Sequence, residues 1–250
     1  DCLQVYDGNL IAGGRFSRIN GVVANGIARW DGVQWHAMGT GVVVNQTLGI
    51  FALIIHEGHL VAGGSFSSMN GQSMWNISKW NGESWSPFSA NPGIVYEMTV
   101  HDGALIAGGP TVSVGGTQFN HIARWTGSQW QPMDGGTDGS IYTMASFNGS
   151  LIAAGSFSSA GDAATKNIAA WSEENAWSSL YHGIDDAVLA IRKHGGHMVV
   201  AGRFRSIGEL KSANRIASWD GQLWASLGTG FNDEVSALGG FEGQLVAGGL

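Results

Sequence analysis

The sequence predicts an all-β fold, a β-propeller of four-stranded antiparallel blades. Three observations carry that expectation. An internal period comes first: an Ala-Gly-Gly register recurs at Ala12, Ala62, Ala107, Ala153, Val200 and Ala247, 45 to 50 residues apart. Two tryptophans keep fixed places behind it, at Trp30 and Trp35, Trp80 and Trp85, Trp125 and Trp130, Trp171 and Trp177, Trp219 and Trp224. Periods of this length belong to solenoids or propellers. Composition is the second: 40 glycines, 4 prolines and 12% charged residues disfavour helices and favour many tight turns. Third, each copy alternates apolar and polar residues between turn dipeptides, which excludes a helical solenoid. A parallel β-helix needs much shorter coils.

Each copy divides into four strands. The first is a run such as "IFALIIH" (Ile50 to His56) or "IYTMASF" (Ile141 to Phe147). A two-residue turn follows: Asp7-Gly8, Glu57-Gly58, Asp102-Gly103, Asn148-Gly149, Gly195-Gly196 or Glu242-Gly243. Most of these pairs favour positive φ, the hairpin signal. The second strand is of the "LIAGG" type and leads into a longer polar loop. The third is "NIAAW" or "NHIARW", and a further tight turn (Asp31-Gly32, Asn81-Gly82, Thr126-Gly127, Asp220-Gly221) leads to the fourth, which carries the second tryptophan. Four such strands make a blade, and radial repetition of blades makes a propeller. Residues 1–250 are read as one domain with repeats at about 1–47, 48–92, 93–138, 139–185 and 186–232, and the first two strands of a sixth at 233–250. Beginning and ending inside repeats, the chain is read as part of a longer one whose ring has at least six blades; the alternative is a ring that closes at five, with the final hairpin placed elsewhere. Its unpaired strand edges are expected to invite pairing with another chain.

The repeated residues have structural readings. Glycine in the second strand lets neighbouring sheets approach, since a side chain there would collide with the next blade. The tryptophans supply apolar area between blades. The fourth column of the first strand (Leu3, Leu53, Met98, Met144, Ile191, Leu238) is always apolar and is expected in the core. The last residue of that strand (Tyr6, His56, His101, Phe147, His194, Phe241) is always a ring and is expected to pack over the turn. Three histidines of that column would be scattered one to a blade, which argues against a metal site. An asparagine precedes the third strand in every full copy: Asn25, Asn76, Asn120, Asn167 and Asn214. A repeated binding site would look like this; so would a side chain closing the long loop on backbone groups, the favoured reading.

The glycine doublet, followed about 20 residues later by a fourth-strand tryptophan, resembles the kelch repeat of galactose-oxidase-like propellers. The "NxIARWDGxxW" half is similar to WDG-type repeats of bacterial surface proteins and to the fungal cortical polarity-marker family. Kelch repeats usually carry tyrosine where Trp30, Trp80, Trp125, Trp171 and Trp219 stand. Propellers host many unrelated tasks, so the resemblance speaks to fold. It implies a copper set of Tyr, His and Cys only for the oxidase itself, and the lone Cys2 does not supply that set.

A net charge of −7 argues against nucleic-acid partners. No apolar run approaches the roughly 18 residues of a membrane span. Nucleophile elbows, zinc-protease helices and phosphate loops are missing. Asn45, Asn76 and Asn148 begin glycosylation sequons. The expected function is a non-catalytic binding or scaffolding propeller of a secreted or surface protein. Its ligand, a protein or a glycan, would sit on the face where the variable loops after strands two and four emerge together. Asn20, Asn70 and Asp162 in those loops are candidate ligand-binding residues. Asp138, Asp185, Asp186, Asp233 and Glu234 form a candidate acidic sector suited to Ca2+ or to a basic partner; a solvated acidic rim is the favoured reading. Glu97 and Arg192 are expected to face the central channel. The alternatives are a glycan-acting enzyme module, its site completed by sequence outside this chain, and a structural spacer.

Overall fold

The computed structural model describes residues 2–88, 91–114, 117–118, 120–180, 182–210 and 212–250. The fold is all-β and built of propeller-type blades. Among the described residues there are five four-stranded antiparallel sheets, each with its strands side by side in chain order. The first consists of Cys2–Tyr6, Asn9–Gly13, Ile27–Trp30 and Trp35–Ala37. The second consists of Gly49–His56, His59–Ser65, Ile77–Trp80 and Trp85–Pro87. Glu97–His101, Ala104–Gly108, Ile122–Trp125 and Trp130–Pro132 form the third. The fourth runs from Ser140–Phe147 through Ser150–Ser156 and Ile168–Ser172 to Ala176–Ser179. The fifth runs from Val188–His194 through His197–Gly202 and Ile216–Trp219 to Trp224–Ser226. Val235–Phe241 and Gln244–Gly249 form a separate two-stranded sheet. The chain divides into two compact units: Asp1–Val100, Ala104–Phe119 and Ala123–Gln131 make one, and His101–Gly103, Asn120–Ile122 and Pro132–Leu250 the other.

The two kinds of turn differ physically. In the first, both residues lie in the left-handed region, as at Asp7 (φ 48°) and Gly8 (φ 72°) or Gly195 (φ 57°) and Gly196 (φ 80°). This is the twist a two-residue hairpin needs. In the second, only the glycine does, as at Gly32 (φ 100°). The residue before it caps a wider turn: the Asp31 carboxylate accepts the Val33 and Gln34 amides at 2.8 and 2.9 Å, and Asn81 and Asp220 repeat the arrangement. Asp, Asn or, in the third blade, Thr126 therefore stands there for its side-chain acceptor, not for positive φ.

Cores lie between successive sheets. In the first unit Ile11 and Ile27 of the first sheet, with Met38 just after it, pack with Ile50, Leu60 and Trp85 of the second. Val61 and Ile77 of the second pack with Leu105 and Trp130 of the third and with Val95 just before it. In the other unit, Ile152 and Ile168 meet Met198, Val200 and Phe204, while Val199 and Ile216 meet Val235. A second strand covered on both faces therefore reads as a continuous apolar run. The fourth-column expectation holds at Met98 and Met144, which are buried, and fails at Leu3, which is 66% exposed. Among the described residues of its unit, no sheet covers that face of the first blade. Phe241 in the ring column is 67% exposed for a related reason, its sheet having only two strands.

Indoles join sheet to sheet through backbone carbonyls. Trp85 Nε1 donates to Met38 O at 3.0 Å, and Trp177 Nε1 donates to Met133 O at 2.7 Å. The two tryptophans of one blade sit opposite each other across strands three and four, with ring centroids 5.2 to 5.5 Å apart at Trp80/Trp85 and Trp30/Trp35. At Trp85 and Trp177 the second indole thus ties its blade to the loop of the blade before it.

The glycine doublet does two jobs. A Cβ on the first glycine would meet the neighbouring blade, as expected: at Gly63 it would lie 2.8 Å from Val95 Cγ1 and 3.1 Å from Met98 Cε. The second glycine corrects the sequence reading, because there the obstacle is its own blade. A Cβ at Gly64, Gly155 or Gly202 would lie 2.0 to 2.1 Å from the carbonyl oxygen of Gly49, Ser140 or Ala187. Those carbonyls stand at the start of the first strand, beside bulges that shift the ladder between Ile50 and Ala52, Ile141 and Thr143, and Val188 and Ala190. The bulge bends the strand and brings its backbone against the glycine.

Candidate functional site

The loops after strands two and four meet because the strand order sends both from the same end of each sheet. The loop after strand two is not irregular. Arg18–Ile19 pairs with Val22–Val23, Ser68–Met69 with Gln72–Ser73, and Ser159–Ala160 with Ala163–Ala164. Candidates Asn20 and Asn70 occupy the turns of the first two hairpins at φ 44° and 54°, a position asparagine tolerates. Asn70 also ties hairpin to neighbouring loop, its Oδ1 accepting the Thr40 amide at 2.9 Å. Asp162 stands in the turn of the third hairpin and is exposed.

The five repeated asparagines act as clasps. Each has positive φ, from 40° at Asn214 to 61° at Asn167. Asn25, Asn120, Asn167 and Asn214 donate from Nδ2 to the carbonyls of Thr40, Gly135, Ile184 and Thr229 at 2.8 to 2.9 Å. Asn76 donates instead to Asn91 Oδ1 at 3.2 Å. At Asn167 the Oδ1 also accepts the Phe157 amide at 3.1 Å, so one side chain binds both long loops of its blade. Replacing Asn167 by glycine keeps the backbone conformation and removes both bonds. We expect a loss of about 2 kcal/mol, read from the urea midpoint.

Most of the acidic candidates are structural as well. Asp138 accepts the Ser158 and Ser159 amides at 2.7 and 2.9 Å, and the Ser158 hydroxyl. Asp185 does the same for Arg205 and Ser206 one blade on, at 3.0 and 3.1 Å. Burial acts to raise the Asp138 carboxyl, but these hydrogen bonds outweigh it and hold it at about 2. Asp186 and Asp233 each accept the amide of the next residue, and Glu234 pairs with Arg203 at 2.7 Å. Among the described residues no three of His, Cys, Asp and Glu gather into a metal-ligating group. His56 and His101 are buried, His101 with its Nδ1 3.0 Å from Ser146 Oγ.

Glu97 is half-buried, and desolvation pushes its carboxyl up to about 8. Arg192 is exposed and lies against Gly240, where a Cβ would be 2.8 Å from its Nη2. An acid whose folded pKa exceeds its unfolded value of about 4.3 disfavours folding increasingly as pH rises between the two. Glu97→Gln is therefore expected to raise stability at pH 9 and to leave it unchanged at pH 4. Urea midpoints across that range read the difference.

Two cavities open among the long loops of the second unit. One, of about 360 Å³, lies between loops of the fourth and fifth blades and is lined by Lys166, His182, Asp185, Ser206 and Glu209. Neither the Lys166 ammonium nor the Glu209 carboxylate has a partner among the described residues. The other, of about 530 Å³, is lined by Arg205, Asn214, Arg215, Phe231 and Asn232. Phe231 stands where Val42, Thr137 and Ile184 bridge to the next hairpin, and it is 44% exposed. Arg215 has φ 73°, where its counterpart in the first blade is Gly26. In the first unit the bulged Phe51 meets Tyr96 edge-on at 5.8 Å, with the Arg15 guanidinium 5.3 Å over its ring. Apart from Asp185 and Asn214, sequence reading missed these residues, since single departures from a repeat carry no signal until the fold brings them together.

The fold and the loop face thus define a β-propeller domain with polar cavities among its long loops. The profile described as "Domain of unknown function (DUF5122) beta-propeller" matches residues 7–30. No curated protein matches the chain. Among solved structures it is similar to a computationally designed protein, Ika8, at 13% identity and a TM-score of 0.47, with 98% of this chain and 91% of that one covered. It is also similar to the WD40 β-propeller domain of Doa1 at 13% identity and a TM-score of 0.45, with 97% and 86% covered.

Proposed function

We propose that the protein is a non-catalytic binding propeller of a secreted or surface protein, with kelch-like repeats as its frame. Its ligand, a protein or a glycan, is held on the long-loop face. The observation that carries this reading is the cavity between the fourth and fifth blades. The asparagines, Asp138 and Asp185 are consumed in holding the loops. Among the described residues Lys166 and Glu209 have no such role, and they line a concave polar site with charges of both signs. Such a site recognises a partner by direction and charge and needs no reacting group.

The test is capture on a glycan array and on immobilised extracellular proteins, with a glycoside-hydrolase panel run alongside. Binding without turnover, lost in the Lys166→Ala/Glu209→Ala double variant, supports the reading. Turnover of any substrate, or binding unchanged in that variant, contradicts it.

A further inference from the structure

The opposite face carries a cavity that the sequence reading did not seek. It lies in the first unit, between the first and second blades, near the short turns. Its volume is about 240 Å³, and Tyr6, Asp7, Asn9, Arg29, Met38 and Trp80 line it. The short first turn places Asp7 and Asn9 at its edge, with Asn9 Nδ2 donating to Asp7 O at 2.7 Å. Arg29 comes from the third strand, opposite Ile11, and its Nη1 reaches Asn9 Oδ1 at 3.4 Å. Trp80 belongs to the second blade. The rings of Tyr6 and Trp80 are both half-buried.

The same seam between the fourth and fifth blades has a different chemistry: there Ala170 stands for Arg29 and Ser150 for Asn9. The first tryptophan differs too. In the fourth blade Trp171 Nε1 donates to the Asp134 carboxylate, 2.6 Å away in the preceding loop. At the corresponding place before the second blade stands Gly39, with no carboxylate to offer. The Trp80 indole N–H accordingly has no partner among the described residues.

We propose that this seam binds one sugar ring of a glycan. Flat aromatic surface suits the apolar face of a pyranose. A guanidinium, an amide, a carboxylate and a free indole N–H supply donors and acceptors for its hydroxyls. The cavity is smaller than the roughly 300 Å³ at which drug-sized pockets begin, which fits a single ring. Opposite charges at Arg29 and Asp7 favour a neutral, hydroxylated ligand over an ion. The site lies on the other face from the long loops and does not depend on what they bind.

The test is saturation-transfer NMR on the whole chain with methyl glucoside, galactoside, mannoside and N-acetylglucosaminide, and with acetate and glycine as probes that are not sugars. At least one pyranoside should receive saturation. Its affinity should fall about tenfold, the worth of one hydrogen bond to a charged group, in Arg29→Met, and be weakened in Asn9→Ala. Val33→Ser, at an exposed turn, should leave it unchanged, and melting curves check that each variant folds. No transfer to any pyranoside overturns the proposal. So does sugar binding that survives both variants, which places it elsewhere. Preferential binding of acetate or glycine also overturns it, since the site is then one for ions.

Discussion

Gly155→Ala is expected to destabilise the protein by about 3 kcal/mol, near the upper end for overpacking a tight site. A Cβ there would stand 2.0 Å from Ser140 O and 2.9 Å from Ile141 Cα. Both obstacles are backbone, held by the ladder of the first strand, so no side chain can swing aside. Relief requires the bulge to open, and the bulge sits beside Ile141, which is fully buried. The neighbouring position makes the contrast: Ala154→Gly should cost only about 1 kcal/mol, the usual price of glycine in a strand. Urea unfolding of the two variants side by side reads the difference. A Gly155→Ala protein as stable as the parent would mean that the bulge does not press on the glycine.

Trp177→Ala is expected to cost about 4 kcal/mol, as for other large buried aromatics. Trp177→Phe should cost about 2 kcal/mol, because it keeps most of the apolar area and strands the Met133 carbonyl that the indole N–H satisfies at 2.7 Å. The pair of variants separates area from hydrogen bond. If Trp177→Phe is neutral, the indole serves only as bulk, and the tie to the preceding loop contributes nothing.

The fold was legible because the same physical demand recurs. Two-residue turns with positive φ need glycine in second place, interblade seams need tryptophan, and crowded backbones need glycine. Repetition exposes each demand several times over. The second glycine shows where this legibility stops. The sequence marks it as indispensable, and in the fourth and fifth blades the first position has become Ala154 and Ala201 while Gly155 and Gly202 remain. The reason lies in the bulge, and a slip of one residue leaves no trace in an alternating pattern. The hairpins at Asn20 and Asn70 were hidden for a similar cause, their strands being two residues long.

The candidate sites were less legible. Asp138 and Asp185 attract notice as acids in matching loops, but in the fold each carboxylate is consumed by serine and backbone donors. Lys166 and Glu209, far apart in sequence, give no sign of meeting at one cavity. Arg29, Asn9 and Trp80 look like ordinary repeat variation. Their meaning depends on Gly39, whose missing carboxylate matters only once Trp171 and Asp134 are seen together.

The central claim is a division of labour: the repeated residues hold the blades, and single departures from the repeat make the surfaces that recognise ligands. One experiment addresses it directly, the melting temperature and ligand capture of the Lys166→Ala/Glu209→Ala variant measured beside those of Asn167→Gly. The account predicts that the first keeps its melting temperature and loses capture, while the second melts several degrees lower and still binds below its transition. A loop variant that melts early, or an Asn167→Gly protein that stays fully stable yet cannot bind, would contradict it.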